Sequence, residues 1–131
     1  MNEPEGHAWL GGRLRLQQAP AGHRVGTDAA LLAAAAPAGF EGLCVDLGAG
    51  VGAVGLAVAA LHRTSSVRLV EIDQATAALA AANIVANGLE ARAAVIVADV
   101  LADRRVRRQA GLEPASADLV LTNPPYLDAR A

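Results

Sequence analysis

From residue 43 to residue 122, short apolar runs alternate with longer stretches of helix-forming residues. The runs at 43–47, 67–72, 92–98 and 117–122 predict strands. The intervening stretches at 53–62 and 74–87, with a shorter one near 103–110, predict helices. Strands separated by helices cannot pair as hairpins. Each returns by a crossover, which is right-handed and gives parallel pairing. Asn87-Gly88 supplies a stop for the second long helix. A further helix is expected over 28–36, ended by Pro37 and Gly39. The pattern therefore predicts an α/β fold with a doubly wound, mainly parallel sheet and helices on both faces. Sheets of that kind bind ligands outside the carboxyl ends of their strands.

Two strand ends carry chemistry. The first is Val45-Asp46-Leu47-Gly48-Ala49-Gly50-Val51-Gly52, a tight glycine turn between a buried strand and a helix. This is the opening of many nucleotide sites. Glu71 ends the next apolar run, about 20 residues on, where an acid can accept from ribose hydroxyls. Gly48, Gly50 and Ala53 also satisfy the permissive dinucleotide fingerprint. Electrostatics separates the two readings. Asp46 stands two residues before the first glycine. Its carboxylate would repel a pyrophosphate but favours an ammonium and a sulfonium, so S-adenosylmethionine is the expected cofactor. Ile72 is expected to pack on the adenine ring. Asp99, after the apolar 94–98, is expected to accept from the adenine amine; it also reads as a loop aspartate or helix N-cap. Asp73 reads chiefly as the N-cap of the helix that begins at Gln74.

The second strand end is Asn123-Pro124-Pro125-Tyr126. An exocyclic adenine amine is a weak nucleophile because its lone pair is delocalised into the ring. The Asn123 side-chain carbonyl and the Pro124 backbone carbonyl can accept its two N–H groups, favouring a tetrahedral nitrogen with an available lone pair. Two prolines hold those carbonyls rigidly. Tyr126 offers a stacking face worth roughly 1–3 kcal/mol per base. Neither a metal nor a strong base is required. The plainer reading of the tetrad is a turn that closes a strand.

Together these motifs resemble the class I methyltransferases, in their amino-methylating branch. The resemblance implies a Rossmann-like sheet. It also implies catalytic roles for Asn123, Pro124 and Tyr126, and cofactor contacts for Asp46, Gly48, Gly50, Glu71, Ile72 and Asp99. The segments Leu10 to Gln18 and Gly22 to Leu32 are similar to bacterial enzymes that N6-methylate an adenine beside the anticodon of valine tRNA. That likeness assigns Thr27 and Asp28 to the methionine end of the cofactor, and makes tRNA the expected partner. Members of that family continue well beyond the tetrad. The chain is therefore expected to be the N-terminal part of such a domain, cut after its fourth strand, with residues 1–26 as lead-in. An exposed sheet edge at 117–122 is then expected to favour self-association. A protein glutamine-amide N-methyltransferase and an inactive cofactor-binding fragment are the alternative readings.

Composition bounds the rest. The chain has 131 residues, enough for one domain, and a formal charge of −2, which does not advertise nucleic-acid binding. All eleven basic residues are arginine, and four of them crowd into Arg104-Arg105-Val106-Arg107-Arg108. That cluster reads either as a solvated face or as a phosphate contact. Arg13, Arg15 and Arg24 form a second such cluster. Abundant alanine with arginine in place of lysine suits a GC-rich bacterial genome. The single Cys44 excludes an intramolecular disulfide and reads as a buried small hydrophobe. No Cys/His cluster suggests a metal. No signal segment or membrane-spanning run is visible, so a cytoplasmic location is expected. Residues 1–8 read as disordered, and a hairpin is expected between 12–17 and 23–25.

Overall fold

The computed structural model describes residues 6–19 and 25–124. Its elements are β1 (His7–Trp9), β2 (Leu14–Leu16), α1 (Thr27–Ala34), β3 (Leu43–Leu47), α2 (Ala53–Leu61), β4 (Ser66–Glu71), α3 (Gln74–Ala86), β5 (Ala93–Val97), α4 (Arg104–Gln109) and β6 (Leu119–Thr122). The main sheet has the order β5-β4-β3-β6, parallel throughout. The β/α alternation is found where the sequence predicts it, with ends shifted by two residues at most.

Alternate residues of the strands feed two cores. Cys44, Val67, Leu69 and Ala93 face the larger one, with Leu56, Ala57 and Val58 of α2 and Ala80 and Ile84 of α3. Val45, Val70 and Ile96 face the smaller one, closed by Ala110 and Leu112 just after α4. Small side chains allow close approach: a Cβ on Gly55 of α2 would collide with Leu69. Cys44 is fully buried, and burial, then the charge of Asp46, pushes its thiol up to about 11. It is the inert apolar cysteine expected. Arg92 donates to the carbonyls of Ala59, His62 and Ser65, a cation at the end of α2 where the helix dipole favours one.

One expectation about the N-terminal region needs correction. His7 and Ala8 are not disordered; they belong to β1, which pairs antiparallel with β2. The hairpin turns at Leu10-Gly11-Gly12-Arg13, where Leu10, Gly11 and Gly12 all have positive φ. The hairpin expected between 12–17 and 23–25 falls partly on residues 20–24, which lie outside the described residues. Among the described residues no helix is long and apolar enough to cross a membrane.

Candidate functional site

The carboxyl ends of β3, β4 and β6 converge because three parallel strands carry their C-termini to one edge. Leu47 pairs with Val70 and with Thr122, so Gly48, Glu71 and Asn123 begin one residue past a common level. Thr122 Oγ1 donates to the Leu47 carbonyl and ties the two strand ends together (3.0 Å). A cavity of about 320 Å³ opens there, within the usual range for small-molecule sites. Its wall includes Asp28, Asp46, Gly48, Gly50, Glu71 and Asn123.

The glycine loop is built by backbone bonds. Ala49 N–H donates to the Val70 carbonyl (2.8 Å), and Gly52 N–H to that of Ala49 (2.9 Å). Gly48 and Gly50 hold φ at +68° and +58°, the left-handed region that favours glycine. A Cβ on either would meet nothing within 4 Å, so the loop presents bare backbone to open space. Glu71 braces the turn. Its Oε1 accepts from Gly50 N–H and its Oε2 from Asp73 N–H, each at 2.9 Å.

Asp46 lies beneath the loop, 1% exposed, with Oδ2 accepting from Gly55 N–H at 2.9 Å. Burial raises its carboxyl from 3.8 to about 7, against the pull of the Gly55 bond and helped by the charge of Glu71. Asp28 stands in the first turn of α1, and its Oδ2 accepts from Asn123 Nδ2 at 3.5 Å across the cavity. Three carboxyl groups therefore face this space, and among the described residues none that lines it is Lys or Arg. The field suits a cation and opposes a pyrophosphate.

The remaining sequence-predicted residues fall elsewhere. Thr27 opens α1, but the N-cap is Gly26, and neither Thr27 nor Asp28 caps the helix as a simple pair. Ile72 is 62% exposed and does not line the cavity. Asp99 is exposed too, and its Oδ1 accepts from Leu101 N–H (2.9 Å), the loop-aspartate arrangement. Pro124 follows Asn123 without lining the cavity, and Pro125 and Tyr126 lie outside the described residues. Asp73 is the N-cap of α3: it accepts from Thr76 Oγ1 and Thr76 N–H, which lower its carboxyl. Val25, Ala29, Thr76 and Leu79 line the cavity and were not foreseen. They come from α1, its lead-in and α3, elements whose approach no local pattern encodes. Among the described residues no group of His, Cys, Asp and Glu could hold a metal.

Comparison with known proteins agrees with this geometry. The family model of the methyltransferase small domain matches residues 21–131. A tRNA1(Val) (adenine(37)-N6)-methyltransferase of Porphyromonas gingivalis is 34% identical over 118 residues, 87% of this chain. The chain spans 45% of that relative's length. The crystal structure of a predicted O-methyltransferase from Agrobacterium tumefaciens superposes with a TM-score of 0.69 at 37% identity, covering 75% of this chain and 49% of that one. The TrmK protein of M. capricolum, solved with S-adenosyl-homocysteine, shares the fold (TM-score 0.52, 16% identity, 60% of this chain and 34% of that one).

Proposed function

The chain belongs to the methyltransferase small domain family, and from that premise we propose that its cavity binds S-adenosylmethionine and serves N6-methylation of an adenine in tRNA. One observation carries the reading. The glycine loop, three carboxyl groups and Asn123 surround a single cavity at the carboxyl edge of a parallel sheet. A cationic cofactor with no phosphate fits that lining.

When bound, the cofactor supplies an electrophilic methyl on sulfur. This chain's residues bind and orient. Asp46 and Asp28 offer negative charge toward the ammonium and sulfonium. Glu71 still has lone pairs for ribose hydroxyls while it braces Gly50 and Asp73. Bare backbone at Gly48 and Gly50 allows close approach. Asn123, with Nδ2 turned to Asp28, has Oδ1 left to accept from the acceptor amine, and the Pro124 carbonyl is the second acceptor. Transfer would break the sulfur–methyl bond as the N–C bond forms, leaving the neutral thioether; the methylated nitrogen would then be acidic enough to release its proton to water, so no strong base would be needed. Orientation of this kind can supply roughly 7–11 kcal/mol. Ile72, Asp99 and Tyr126 are proposed to hold adenine rings of cofactor and substrate, and Thr27 to help close the methionine end. A tRNA substrate implies a cytoplasmic location, and β6, which ends the sheet among the described residues, is a candidate edge for self-association.

The tRNA substrate is favoured over a glutamine amide by likeness to the tRNA adenine-N6-methyltransferase of Porphyromonas gingivalis. The test is methyl transfer from labelled cofactor to unmodified tRNA and, separately, to a glutamine-containing peptide. N6-methyladenosine in the tRNA is expected. Label in the peptide alone would replace this substrate with the protein amide.

A further inference from the structure

Asn83 lies on α3 and Asn87, four residues on, is the C-cap of that helix; the described site uses neither. Their amides treat β2 as a neighbouring strand would. Asn83 Oδ1 accepts from Gln17 N–H (2.7 Å), and its Nδ2 donates to the Gln17 carbonyl (3.1 Å). Asn87 Oδ1 accepts from Arg15 N–H (2.9 Å), and its Nδ2 donates to the Arg15 carbonyl (2.8 Å). The spacings match: four helical residues rise about 6 Å, and two strand residues about 6.6 Å. The two amides thus pair with the backbone of Arg15 and Gln17, while Leu14 and Leu16 of β2 are buried in the core.

Asn87 Nδ2 makes one further bond, to the Asn83 carbonyl at the end of α3 (2.7 Å), but Asn83 reaches the glycine loop. Its Nδ2 also donates to the Val51 carbonyl of the glycine loop, at 2.9 Å. Val51 lines the cavity, and the segment that follows β2 leads on to Ala19, Val25 and Gly26, which line it too. Asn83 is 0% exposed. A helix-interior asparagine is intrinsically unfavourable, and a buried amide is tolerated only when its bonds are made. We propose that Asn83 is a positioning residue for the cofactor loop, coupling the N-terminal hairpin to the Gly50–Gly52 turn through one buried amide. This rests on the cavity being the cofactor site.

The coupling has two readouts that do not depend on catalysis. Asn83→Ala and Asn87→Ala both release β2, so both lower stability. Only Asn83→Ala also frees Val51, so only it is expected to weaken S-adenosyl-homocysteine binding, by about tenfold in calorimetry. Asn87→Ala is expected to stay within about twofold of wild type by the same reasoning. Equal affinities in all three proteins would overturn the proposal. The second readout needs only the wild-type protein and decides the question if Asn83→Ala does not fold. Coupling is reciprocal, so ligand bound at the loop should slow amide hydrogen exchange at Gln17, read by NMR. Protection at Gly50 and Gly52 with unchanged exchange at Gln17 would refute it. A wild type that binds no ligand would instead overturn the cofactor site itself, and this inference with it.

Discussion

Asp46 makes the stability of this protein depend on pH in an unusual direction. Burial lifts its carboxyl from 3.8 to about 7. Between those values the folded protein holds a proton that the unfolded chain has released. Stability therefore falls as pH rises through this window and levels off above it. At roughly 1.4 kcal/mol per unit, the whole shift corresponds to about 4 kcal/mol, and the part between pH 5 and pH 8 to about 3 kcal/mol. Asp46→Asn should remove that slope. Its amide oxygen can still accept from Gly55 N–H, and it carries no charge to desolvate. Urea unfolding at intervals from pH 5 to pH 8 measures both proteins, and their difference cancels the other titrating groups. The variant's stability relative to wild type should rise by about 3 kcal/mol between pH 5 and pH 8. Cofactor affinity should show the opposite trend. A cation favours ionised Asp46, so wild-type binding should strengthen from pH 6 to pH 8 while that of Asp46→Asn stays flat. Parallel stability profiles for the two proteins would refute the reasoning, because Asp46 would then titrate as an ordinary exposed carboxylate.

Glu71→Ala should weaken cofactor binding tenfold or more in calorimetry, since hydrogen bonds to a charged group are worth roughly 1.5–3 kcal/mol each. It also unties Gly50, so exchange at the Gly50 amide should accelerate; unchanged affinity would remove Glu71 from the site. Gly55→Ala should destabilise the fold by about 1–3 kcal/mol, because the added methyl collides with Leu69 and Val67 where α2 packs on β4. A thermal midpoint equal to wild type would show that this packing yields more readily than the geometry implies.

The sheet was legible because its strands are apolar, its helices rich in alanine, and each junction marked. Strand β3 was placed to the residue, since Leu43 to Leu47 is bounded by glycines on both sides. The hairpin was not legible. Three-residue strands are too short to display a period, and its real signal was Gly11-Gly12, whose positive φ reverses the chain. Within the cavity wall, Asp46, Gly48, Glu71 and Asn123 stand at or beside strand ends, where a parallel sheet brings distant segments to one edge. Ile72 and Asp99 occupy such ends as well, yet their side chains stand outside the cavity wall. Asn83 was missed for another reason. Its partners, Gln17 and Val51, lie 66 and 32 residues away in the chain. An asparagine inside a helix, four residues before another at its C-cap, was the available clue.

The role assigned to Asn123 is where cofactor binding and chemistry part company, so a paired measurement on Asn123→Ala tests the account most directly. S-adenosyl-homocysteine affinity comes from calorimetry, and the methyl-transfer rate to tRNA from the labelled cofactor. The expected result is affinity within about threefold of wild type and a rate reduced by about a hundredfold or more, as loss of positioning can produce. Near-normal transfer by the variant would contradict the account and reduce the tetrad at the end of β6 to a turn.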